Sequence, residues 1–111
     1  MCGIVGICNL EAARDIDIRT LERMMGAIHH RGPDEAGIYV DDWAGLGHVR
    51  LSIIDLAGGG QPIHNEDQTL WIVYNGEVFN YPELRSQLER QGHRFYTSSD
   101  TEVLLHLYEE E

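Results

Sequence analysis

The chain contains no lysine: its eight basic residues are all arginine, set against nineteen acidic ones, for a formal charge of −11 over 111 residues. Lysine Schiff-base chemistry and lysine phosphate anchors are thereby excluded within it. So large an acidic excess repels phosphate backbones, and no nucleic-acid partner is expected. Long apolar runs are lacking too. The longest, Leu70 to Tyr74, falls far short of the ~20 residues of a membrane helix. The N-terminus has no basic flank of a secretory signal, so no membrane partner is expected and the default location is cytoplasmic. Only two cysteines are present, Cys2 and Cys8. If the residues between them are extended at ~3.3 Å each, they lie ~20 Å apart, against the ~7 Å a disulfide tolerates. Nor does the scatter of His29, His30, His48, His64, His93 and His106, without a CxxC pair, resemble a zinc site. Two free thiols in a reducing compartment and no metal are expected.

What remains has the composition of one globular domain, with 42% hydrophobic residues. Gly3 to Cys8 (GIVGIC) is β-branched and apolar and reads as a buried strand at the chain terminus, with Cys8 in the core. Asp17 caps a helix whose Leu21, Met24, Met25 and Ile28 form an apolar stripe and which ends near His30. Arg31-Gly32-Pro33-Asp34 breaks it, since Pro33 disfavours helical geometry in the residue before it. Residues 37–40 and 46–54 read as strands around an Asp41-Asp42 turn, with Val49, Leu51 and Ile53 on one face and His48, Arg50 and Ser52 on the other. After a Gly58-to-Pro62 loop comes an apolar strand over 70–74, ended by the turn signal Asn75-Gly76. Pro82 opens a second helix that Gly92 closes. A third begins near Ser99, where Ser99 and Glu102 have capping-box spacing, with Val103, Leu104, Leu107 and Tyr108 as its apolar face.

Position alone makes Cys2 a small hydrophobe beside the start codon. Yet methionine is removed efficiently before small residues, and Cys2 would then carry a thiol and a free α-amine. With pKa values of ~8.5 and ~7.7–8.0, the amine can take the thiol proton near neutrality and later return it to a leaving group.

Other motifs bear on the choice. Met1-Cys2-Gly3-Ile4-Val5-Gly6-Ile7, His30-Arg31-Gly32-Pro33-Asp34-Glu35-Ala36-Gly37 and the Gly47-to-Asp55 run GHVRLSIID occur in that order. Gln61-Pro62, the Tyr74-to-Tyr81 run YNGEVFNY and Ser99-Asp100-Thr101-Glu102 follow. Together they resemble the class II glutamine amidotransferases over the whole chain, and several long motifs in order are far more specific than one short pattern. Within that class, Arg-Gly-Pro-Asp, Arg-Leu-Ser-Ile-Ile-Asp and Ser-Asp-Thr-Glu are similar to the glutamine-dependent asparagine synthetases.

The resemblance implies roles. Cys2 is the nucleophile toward the side-chain amide of L-glutamine. Asn75, through its amide, and Gly76, through its backbone N–H, hold the oxyanion. Arg50 receives the substrate α-carboxylate with its bidentate fork, and Asp100 and Glu77 receive the α-ammonium. The Leu51, Ser52, Ile53 and Ile54 backbone lines the same pocket, with Leu51 and Ile53 doubling as core. Taken alone, Asp100 is also an acid in the first turn of a helix. Arg31 to Asp34 shape the floor structurally, Tyr74 and Tyr81 serve as core and cap, and His48 is not promoted to a base because the α-amine fills that role.

The implied fold is α+β, the N-terminal-nucleophile αββα four-layer sandwich of antiparallel sheets, incomplete in this chain. Residues 2–111 are expected to be the front of the glutaminase domain, cut short of the remaining strands. By the same resemblance no cofactor is needed for this half. ATP and Mg, used to activate aspartate, belong to a C-terminal synthetase domain outside the chain, which would be the partner for ammonia transfer, and a homodimer of the parent protein is left open. The rival expectations are another class II amidotransferase with a different ammonia acceptor, or a non-catalytic fragment.

Overall fold

A computed structural model describes residues 2–12, 14–51 and 60–111. Three strands, β1 (Gly3–Cys8), β2 (Glu35–Val40) and β3 (Ala44–Arg50), form an antiparallel sheet in the order β1-β3-β2. In it Gly3 pairs with Val49, and Glu35 pairs with Arg50. Helix α1 (Ile18–Ala27) packs on β1 and β3. Its start is set by Asp17, whose carboxylate accepts the Arg19 N–H at 3.0 Å and the Thr20 hydroxyl at 2.9 Å. Leu21 and Met25, one turn apart, reach down onto Val49, with Val5, Ile7, Ile28 and Val40 around them. The helix stops at Ala27, earlier than the sequence suggests, and His29–Arg31 continues as a 3-10 turn.

The β2–β3 connection is fixed by Asp41, whose Oδ1 accepts the N–H groups of Trp43 and Ala44 at 2.7 and 2.8 Å. This side-chain turn does the work of a backbone turn. A second antiparallel pair, β4 (Ile63–His64) and β5 (Trp71–Ile72), is closed by Asn65, whose Oδ1 accepts the Thr69 and Leu70 N–H groups, with Gln68 at φ 61°. The Tyr39 and Trp71 rings stack at 4.2 Å between the two sheets. Helices α2 (Tyr81–Arg90) and α3 (Glu102–Glu109) pack on each other, and α3 also meets β4. Pro82 sits in the first turn of α2. The C-terminus of α2 has the bonding of a Schellman motif: His93 N–H to Leu88 O and Gly92 N–H to Glu89 O, both 3.1 Å, with Gly92 at φ 102°.

Several expectations are corrected. Strand β1 lies at the sheet edge and alternates instead of being buried throughout: Ile4 is half exposed, and Cys8 is exposed, not core. The apolar run over 70–74 gives only the two-residue β5, because Asn65 claims the Leu70 N–H, and Gln61 Oε1 claims that of Tyr74 at 2.6 Å. Asn75-Gly76 makes a bend, not a hairpin; the hairpin turn is at 65–70. The capping box does not form. Glu102 is fully buried, and its carboxylate accepts the Tyr96 and Thr97 N–H groups and the Thr97 hydroxyl. Helix α3 consequently starts at 102, leaving Asp100 ahead of its first turn. Its buried residues include Leu105 and His106, whereas Tyr108 is exposed. Leu51 is exposed as well, and Ser52, Ile53 and Ile54 lie outside the described residues.

The contact of α1 with the three-stranded sheet is the core of the N-terminal part. Truncating the fully buried Leu21 removes its contacts and leaves a void, so Leu21→Ala is expected to lower the unfolding free energy by about 2–5 kcal/mol. Exposed Cys8→Ser should stay within about 0.5 kcal/mol of wild type, both read from urea denaturation.

Candidate active site

One polar cavity of about 300 Å³ is lined by Cys2, His48, Arg50, Leu51, Gln61, Tyr74, Asn75, Gly76, Glu77, Ser99, Asp100 and Thr101. Every described residue among the sequence candidates is in that wall. They come from four places: the start of β1, the end of β3, the segment after β5, and the approach to α3.

Cys2 is held by its carbonyl. Arg31 Nε donates to Cys2 O at 3.1 Å, and Asn75 Nδ2 donates to the same oxygen at 3.0 Å. Asn75 thus bridges 73 positions of sequence and retains a second N–H on Nδ2. Arg31 reaches Cys2 because the 3-10 turn and Gly32 press the chain against β3. Pro33 bridges to Arg50, Asp34 N–H donates to Arg50 O at 3.0 Å, and a Cβ on Gly32 would stand 2.4 Å from Arg50 N. The Arg-Gly-Pro-Asp motif therefore fixes two sides of the cavity at once.

Arg50, its side chain 12% exposed, forms an ion pair with Glu35 at 3.2 Å. Asp100 receives the Val78 N–H on Oδ2 at 2.7 Å, which aligns the carboxylate and leaves Oδ1 as a further acceptor. Gln61 ties the rim together, accepting from Tyr74 N–H and donating through Nε2 to Thr101 Oγ1 at 3.4 Å. The cavity so carries a guanidinium on one part of its wall and the carboxylates of Glu77 and Asp100 on another. That suits a ligand bearing a carboxylate and an ammonium.

Three residues at or behind the wall make contacts that no local pattern shows. Arg31 is structural, as expected, but its grip on the Cys2 carbonyl depends on a fold contact no local pattern reveals. Gln61 was only part of a motif match. His48 is 2% exposed, and its Nε2 is buried without a hydrogen-bond partner among the described residues. Burial pushes the His48 pKa below its usual value, the neighbouring Arg50 guanidinium lowers it further, and the Tyr74 backbone and Glu35 only partly oppose this.

A family profile described as "Glutamine amidotransferase domain" matches residues 1–111. The chain belongs to that family. The glutamine amidotransferase domain is 51% identical over 110 residues to "Asparagine synthetase [glutamine-hydrolyzing] 1" of Bacillus subtilis (strain 168), covering 97% of this chain and 17% of the relative. Identity is 46% over 112 residues to "Asparagine synthetase [glutamine-hydrolyzing] 2" of the same organism, covering 99% and 15%. It is 43% over 111 residues to "Asparagine synthetase [glutamine-hydrolyzing] 1" of Arabidopsis thaliana, covering 99% and 18%. The domain thus spans less than a fifth of the length of these curated relatives. Its α+β build with antiparallel sheets is compatible with the family. No helix among the described residues is long and apolar enough to cross a membrane.

The depressed His48 pKa has a consequence for stability. As pH falls, the unfolded chain takes up this proton first, so the contribution of neutral His48 is complete above about pH 6.5 and is lost below it toward the lower folded value. The urea midpoint is expected to drop between about pH 7.5 and pH 5.5, and to drop less in His48→Gln. Equal drops in the two proteins would contradict this assignment.

Proposed function

We propose that this domain is the glutamine-hydrolysing part of an asparagine synthetase, with Cys2 as its N-terminal nucleophile after removal of Met1. The observation that carries the reading is the double grip of Arg31 and Asn75 on the Cys2 carbonyl, which brings the one cysteine of the cavity against the amide expected to stabilise an oxyanion.

In this mechanism the Cys2 α-amine takes the thiol proton, and the thiolate adds to the amide carbon of glutamine. Charge develops on the amide oxygen, where the second Asn75 N–H and the Gly76 N–H donate; such a donor is worth ~3 kcal/mol in a water-poor site. Collapse breaks the C–N bond while the ammonium returns its proton to the leaving nitrogen, releasing ammonia and a glutamyl thioester. Water, deprotonated by the same amine, then cleaves the thioester to glutamate and restores the thiol. Arg50 would hold the substrate α-carboxylate, and Asp100 with Glu77 the α-ammonium. Leu51, also in the cavity wall, would line the pocket beside Arg50.

The fold we assign is the four-layer αββα sandwich of N-terminal-nucleophile hydrolases, of which the α1-covered sheet supplies one pair of layers. ATP and Mg do not fit the described cavity, whose Glu77 and Asp100 would repel phosphates and which offers no lysine. They belong with a synthetase domain that receives the ammonia for aspartate, as the names of the relatives suggest. A cytoplasmic location accords with two free thiols.

The test is glutamate release from glutamine by the protein. Cys2→Ala should abolish it, and Asn75→Ala should cut kcat by about 10²–10³-fold with the fold retained. Release that survives Cys2→Ala rejects the assignment.

A further inference from the structure

Away from the cavity, the αL turn at Gly92 swings His93 onto the flank of α3, beside His106 and Glu109, and the β4–β5 hairpin delivers Glu66 to the same place. Sequence spacing gave no hint of this, since residues 66, 93, 106 and 109 come from three separate elements. One donor atom from each lies within 4.8 Å of those of the other three. His93 Nδ1 is 3.4 Å from Glu66 Oε1 and 3.8 Å from Glu109 Oε1, while His106 Nδ1 is 3.1 and 3.0 Å from the same two oxygens. A tetrahedral cation with ligands at ~2.0–2.1 Å requires donor atoms ~3.3 Å apart, and these four distances scatter around that value.

The opposite edge of each imidazole is also engaged. His106 Nε2 faces Glu102 Oε2 at 3.0 Å, where both side chains are fully buried, and His93 Nε2 faces Glu110 Oε1. A neutral histidine has one N–H. If Glu102 and Glu110 take those protons, both Nδ1 lone pairs point at the carboxylates of Glu66 and Glu109, an arrangement that repels unless a cation or a second ring proton lies between. A carboxylate behind each ligating histidine is the outer shell that orients imidazoles toward a metal. Glu66 is itself oriented, through Oε1, by the Arg94 N–H at 2.9 Å.

We propose that Glu66, His93, His106 and Glu109 form a structural site for a divalent transition cation, with zinc the best match to two imidazole nitrogens and two carboxylate oxygens. Four protein ligands leave no open position, so the ion would staple the β4–β5 hairpin and the turn after α2 to α3 without entering the chemistry at Cys2.

The alternative is that both histidines are imidazolium ions paired with the carboxylates, and zinc separates the two. Chelator-treated protein is titrated with zinc by calorimetry, and its thermal unfolding is followed with and without the ion. About one equivalent should bind and raise the unfolding midpoint. Glu110→Gln, which changes only the outer shell at a half-exposed position, should weaken binding ~10- to 100-fold. Glu109→Gln and His93→Ala should weaken it further, while metal-free circular dichroism reports whether each variant is folded. Absence of zinc binding, or binding equal in wild type and in folded Glu110→Gln and Glu109→Gln, overturns the site. Equal binding would instead indicate a ligand set elsewhere, such as the free thiols.

Discussion

The candidate site depends on one oxygen atom, the carbonyl of Cys2. Arg31 approaches it from the turn after α1 and Asn75 from the segment after β5, and a residue ahead of the first strand has few other means of being held. A terminus frays unless it is tied down. Here the strand pairing of Gly3 with Val49 holds it from one side, and two charge- or amide-borne N–H groups hold it from the other. Because an arginine donor is ionised, that bond is the stronger of the pair. The same Arg31 segment packs against β3 through Gly32 and Pro33, so the position of Cys2 and that of Arg50 are set by one piece of backbone.

Coupling of this kind explains what the sequence could and could not reveal. Helix α1 was legible, since Asp17 and the Leu21–Met25 spacing are local signals and both operate as expected. The Schellman end of α2 was legible at Gly92 for the same reason. The capping-box reading of Ser99 and Glu102 failed because Glu102 found better donors in the preceding segment, and its burial overrode a local rule. Cys8 and Tyr108 were misjudged because apolar character says nothing of whether a face is covered. Strand β5 is short because side chains of Asn65 and Gln61 compete for its backbone.

The candidate residues came from motif resemblance, and spacing alone would not have gathered Cys2, Arg50, Asn75 and Asp100 into one wall. The Arg31 bond to Cys2 and the Gln61 bonds to Tyr74 and Thr101 escaped because they are made across the fold. The Glu66, His93, His106 and Glu109 cluster escaped likewise: a metal-ligand pattern is sought at short spacings, and these side chains assemble only after a hairpin, a helix end and a helix face have met.

Whether Cys2, with its own α-amine, is the reacting group is decided by intact-mass and peptide mapping after treatment with a glutamine analogue that carries an electrophile at the amide position. A single adduct on Cys2 is expected, in a chain from which Met1 has been removed, with protection by excess glutamine. An adduct on Cys8 in place of Cys2, or full labelling of Cys2 in chains that retain Met1, would contradict it.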